Sequence, residues 1–122
     1  MSIRILEPGF NVTIQDLGRA SFQHLGVPVS GAVSPVALKI GNALVGNTPG
    51  VACLEIRLVG PTIEVLCDAI RVALTGTITE IELIGENGRC QPANQSLVLK
   101  KGQKFRIGTI SDSGSAYLAI EG

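Results

Sequence analysis

Leu54–Leu74 reads LEIRLVGPTIEVLCDAIRVAL, and its hydrophobic period is two. Leu54, Ile56 and Leu58 alternate with Glu55 and Arg57. After Gly60-Pro61, Ile63, Val65 and Cys67 alternate with Glu64 and Leu66, and Ile70, Val72 and Leu74 follow. Successive strand side chains point to opposite faces, so this spacing predicts three consecutive strands separated by turns.

The same pattern extends in both directions. Toward the carboxy terminus, Thr79 to Ile84 leads into Asn87-Gly88, the strongest short hairpin signal, and Arg89 onward should return antiparallel. Leu97–Leu99, a turn at Lys100–Gln103, a strand over Lys104–Gly108 and a last one over Ala116–Ile120 complete the series. Toward the amino terminus, Ile3–Leu6 and Val12–Gln15 flank a Pro8-Gly9 turn. One segment has a different period. Ser34-Pro35 is a helix-start signal, and Val36, Ala37, Ile40, Ala43 and Leu44 recur at helical spacing until Gly46. Gly41 inside that helix suggests close packing against a neighbour. Closely spaced strands with one helix indicate an antiparallel sandwich or barrel; the expectation is a mainly β fold, an antiparallel β-barrel that leaves no free edge, with one short α-helix near residues 35–45, over residues 1–122 as a single β domain.

Composition narrows the function. Apolar residues make up 45% of the 122 and charged residues 16%, which marks a globular chain. Ten basic residues balance ten acidic ones, so there is no electrostatic footprint for nucleic acid or an anionic membrane. The polar interruptions near the amino terminus and the absence of a long apolar run point to a cytoplasmic protein. Cys53, Cys67 and Cys90 lack metal-ligand spacing and read as reduced structural thiols, with Cys90 beside a turn.

Chemistry-bearing side chains concentrate in Gln15–Pro35, QDLGRASFQHLGVPVSGAVSP. Glycine punctuation and weak apolar periodicity place it on a loop. His24, the only histidine, is the candidate acid–base group. Arg19 offers a planar fork suited to a carboxylate, phosphate or ureido oxygen, while Asp16 could pair with it or accept turn amides. Gln15 is a further polar candidate for substrate. Ser30-Gly31 lacks the flanks of a nucleophile elbow, but amides at Gly31 and Ala32 could form an anion pocket. Glu55, outward on its strand beside Arg57, could support a pocket with Asn42 and Asn47 from the helix.

QDLGR, HLGVPVSGA, GNALVGN and CLEIRLVGP, in that order, resemble the start of the biotin-dependent carboxyltransferase-like family. That family is also called allophanate hydrolase subunit 2, and includes the C subunit of 5-oxoprolinase and the carboxyltransferase region of urea carboxylase. The resemblance implies a cyclophilin-like β-barrel in a protein extending well beyond Gly122. It also implies a small amide, lactam or ureido substrate and a companion subunit of the same complex. No phosphate loop or biotinylation site is visible, so ATP or biotin would come through the partner. Ser34 stands where relatives commonly carry an acidic residue, and Gly41 where alanine is common. The alternative expectation is a truncated, non-catalytic domain that binds a partner subunit.

Overall fold

The computed structural model describes residues 3–16, 34–111 and 114–122. Among these are ten strands and one helix: β1 (Ile3–Glu7), β2 (Phe10–Gln15), α1 (Pro35–Val45), β3 (Cys53–Val59), β4 (Thr62–Val65), β5 (Ala69–Thr75), β6 (Ile81–Leu83), β7 (Cys90–Gln91), β8 (Ser96–Lys100), β9 (Lys104–Ile107) and β10 (Ala116–Ile120). The strands form two five-stranded antiparallel sheets, ordered β1-β4-β9-β6-β7 and β2-β3-β10-β5-β8. The predicted antiparallel β architecture with a single helix is present, but the ladders do not join into one closed cylinder. The chain instead crosses between sheets at short turns.

The Leu54–Leu74 stretch shows why. β3 lies in the second sheet, β4 in the first, and β5 returns to the second. Each crossing keeps the alternate apolar residues pointing inward. Ile63, Phe105 and Ile107 of the first sheet thus share one buried cluster with Ile56, Leu74 and Leu118 of the second. Burial of such side chains contributes about 1.5–3 kcal/mol each. The Lys100–Gln103 turn also crosses between sheets, because β8 pairs with β5 whereas β9 pairs with β4 and β6. Val65 fixes this corner by accepting from the Gly102 amide and donating to the Gln103 carbonyl, both at 2.9 Å.

The Asn-Gly signal is confirmed as a β6–β7 hairpin, with Asn87 and Gly88 at φ 54° and 74°. Positive φ at both central turn positions matches the right-handed strand twist. Helix α1 begins and ends as its sequence predicts. The Ser34 hydroxyl accepts from the Ala37 amide at 3.4 Å, Pro35 opens the helix, and Gly46 closes it at φ 81°. Leu38 and Val45 pack with Ala73, Tyr117 and Ala119 on the outer face of the second sheet. Gly41 permits this approach: a methyl there would stand 3.2 Å from Ala119 Cβ and 3.3 Å from Thr75 Oγ1.

Candidate functional site

The helix-bearing face of the second sheet brings both flanks of the Gln15–Pro35 segment to one place. Thr13 lies opposite Glu55 across β2–β3, and Gln15 opposite Cys53. On the other side of β3, Tyr117 lies opposite Glu55. Directly opposed residues share a face, so Thr13, Gln15, Glu55 and Tyr117 project together. Gln15 Nε2 donates to Thr13 Oγ1 at 3.1 Å. Ser34, where the chain enters α1, reaches the same face through its backbone amide.

Glu55 is the centre of this arrangement. The sequence places it on an outward, solvated face with Arg57; the pleat is as expected, but Glu55 is only 1% exposed. Glu55 is covered there, whereas Thr13 and Arg57 on the same face are exposed. Tyr117 Oη donates to Glu55 Oε2 at 2.5 Å, and Arg57 Nε donates to Glu55 Oε1 at 3.3 Å. Tyr117 Oη in turn accepts from the Ser34 amide at 2.8 Å. Burial, followed by the bond to Glu55, pushes the phenol of Tyr117 above its ordinary range, with the Ser34 amide opposing this. The group therefore acts near neutrality as a hydrogen-bonding phenol, with a carboxylate on one side and an amide on the other.

Sequence reasoning about candidate site residues misses Tyr117. A signal is nonetheless present: it is the only tyrosine, in the otherwise aliphatic strand AYLAI. A buried tyrosine needs a partner for its hydroxyl, so its presence there implies a polar group nearby.

Asn42 and Asn47 form a second network around the other end of α1. Asn42 is completely buried. Its Nδ2 donates to the carbonyls of Val51 at 2.7 Å and Pro49 at 3.1 Å. Its Oδ1 accepts from Asn47 Nδ2 at 3.4 Å and from Cys53 Sγ at 3.6 Å. Asn47 also donates to the Ile120 carbonyl at 2.9 Å and accepts from the Gly122 amide at 3.2 Å. These bonds lash the helix end to the entrance of β3 and the exit of β10. Asp16 follows β2 and is exposed, whereas Arg19, His24, Ser30 and Gly31 lie outside the described residues.

A separate apolar groove of about 420 Å³ is lined by Ile3, Ile5, Ile14, Leu54, Leu118 and Ile120, among others. By strand alternation, Leu54 and Leu118 point away from the face carrying Glu55 and Tyr117. Those two groove residues thus lie on the opposite face of the second sheet from Glu55 and Tyr117, while Cys53, on the Glu55 face, also lines the groove. No group of three metal-ligating side chains occurs among the described residues.

The cysteines are free, with Cys53 buried and Cys90 exposed. Burial pushes the Cys53 thiol up from 9.0 to about 11. Unfolding releases its proton more readily, so its contribution to stability is intact below pH 9.0 and is lost as pH rises toward about 11. Urea midpoints should therefore fall more steeply for the parent than for Cys53→Ala across that interval. Equal slopes would contradict the buried-thiol assignment.

A protein-family comparison fits this geometry: the carboxyltransferase domain, subdomain A and B, matches residues 25–122. The chain belongs to that family. It is 32% identical to urea amidolyase of Saccharomyces cerevisiae over 122 residues, covering 99% of this chain and 6% of that protein. It is 33% identical to the 5-oxoprolinase C subunit of Escherichia coli over 120 residues, covering 98% of this chain and 37% of that protein. The crystal structure of Kluyveromyces lactis urea carboxylase superposes with a TM-score of 0.87 at 29% identity, over 98% of this chain and 10% of that one. This carboxyltransferase-family chain thus spans well under half the length of these relatives.

Proposed function

We propose that this chain is the amino-terminal part of a carboxyltransferase-type enzyme acting with a companion subunit on a small amide, lactam or ureido compound. The reactions in view are opening of 5-oxoproline and carboxyl transfer to urea or allophanate. Family membership across residues 25–122 is the observation that carries this reading. The polar face at the flanks of Gln15–Pro35 supports it by giving that segment a fixed place to begin and end.

Both reactions develop charge on an amide-like oxygen. Arg19, His24 and the amides around Ser30-Gly31 are the donors proposed to stabilise it, with His24 also moving a proton. Gln15 and Asp16 would contact substrate from the end of β2, and Glu55 would hold the face beneath them. In this reading Asn42 and Asn47 brace α1. The sequence carries no phosphate loop or biotinylation site, and in this reading ATP or biotin comes through the companion chain. No helix among the described residues is long and apolar enough to cross a membrane, and a cytoplasmic setting belongs to the same reading.

The full natural protein, assembled with its companion subunit, supplies the test. His24→Ala and Arg19→Ala should each lower kcat/KM for 5-oxoproline or for urea by about 10²–10³-fold, while companion binding is retained. Retained binding with turnover changed less than about threefold would instead support the non-catalytic, partner-binding alternative.

A further inference from the structure

The Gln15–Pro35 segment holds the groups proposed above to act on substrate, and its Ser34 end is bonded to the sheet through the Tyr117 side chain. Tyr117 sits on β10, the central strand of the second sheet, and is completely buried. Its hydroxyl has one proton, which goes to Glu55, leaving its oxygen to accept from the Ser34 amide and the Ser115 side chain. Arg57 holds the other oxygen of the same carboxylate. The order of bonds is therefore Arg57 to Glu55, Tyr117 to Glu55, and Ser34 to Tyr117.

Ser34 is also the helix cap. Its hydroxyl accepts from Ala37, its carbonyl accepts from Leu38 at 3.2 Å, and its amide is held by Tyr117. Its backbone is thus held to the helix by the first two bonds and to the sheet by the third. Only the third would be lost with the tyrosine hydroxyl.

We propose that Tyr117 is a positioning residue, oriented by Glu55, that fixes the Ser34 end of the Gln15–Pro35 segment against the second sheet. Its importance for turnover rests on the functional reading above, whereas its effect on Ser34 does not. Two contributions usually merged in a helix cap are thereby separated: the Ser34 hydroxyl starts the helix, and the Tyr117 hydroxyl holds the Ser34 amide to the sheet.

Hydrogen exchange followed by mass spectrometry on the full protein with its companion subunit reads the two contributions separately. In Tyr117→Phe the Ser34 amide should exchange at least about tenfold faster, with Leu38 and later α1 amides unchanged. Glu55→Gln, which keeps an acceptor for the hydroxyl, should leave Ser34 exchange within about threefold of the parent. Turnover by Tyr117→Phe should show kcat lowered at least about tenfold with KM little changed. Unchanged Ser34 exchange, or a uniform rise along all of α1, would overturn the anchor. Faster Ser34 exchange with unaltered kcat, in an enzyme that His24→Ala inactivates, would overturn the positioning role and leave the functional reading standing. Loss of that reading through an active His24→Ala enzyme would leave the exchange result to decide the anchor by itself.

Discussion

Phe105→Ala should lower the unfolding free energy by about 3–5 kcal/mol, the range for deleting a fully buried phenyl ring from a core. Phe105 lies on β9, the central strand of the first sheet, opposite Ile63 on one side and Leu83 on the other. It is completely buried and belongs to the cluster joining both sheets. The other aromatic side chains among the described residues are Phe10, which is exposed, and Tyr117, which belongs to the helix-side cluster, and the aliphatic neighbours are anchored to strands. Urea unfolding of parent and variant gives the difference directly. A loss below about 1 kcal/mol would mean that the two sheets close over the gap.

Asn42→Ala should destabilise by about 2–4 kcal/mol, because it removes the donor of two backbone carbonyls and the acceptor of two further groups at once. The alanine would fit the helix better by intrinsic propensity, so any net loss understates the hydrogen bonds removed. The outcome also separates two roles. A bracing asparagine gives a lower urea midpoint with an unaltered KM in the folded enzyme. A substrate ligand gives the reverse, a preserved midpoint and a raised KM.

The strands and helix are legible because their signals are local. Alternation in Leu54–Leu74, the Asn87-Gly88 turn, the Ser34-Pro35 start and the Gly46 stop each act within a few residues, and the structure agrees with all of them. What alternation does not encode is which strand a neighbour will pair with. Lys100–Gln103 reads as a turn between strands without saying whether they pair, and β8 and β9 separate into different sheets, a choice settled by distant partners on β5 and β4.

The same distinction governs the site. The pleat puts Glu55 and Arg57 on one face, as the sequence indicates, but only tertiary packing decides that Glu55 is covered and Arg57 exposed. Tyr117 comes to Glu55 from 62 residues away. No spacing rule connects them, and the clue of a solitary tyrosine has meaning only once a buried hydroxyl is required to find a partner.

The placement of β10 has a consequence for how the protein comes into being. β3 and β5 flank it in the second sheet, yet residues 53–75 are synthesised well before residues 116–120. During synthesis, both flanking strands must wait with open backbone edges for a strand that has not yet emerged from the ribosome. Such late, long-range pairing is slow and leaves sheet edges exposed to other chains. Premature termination before Ala116 would therefore yield an aggregation-prone chain, cut apart through the middle of its sheet rather than trimmed at its border.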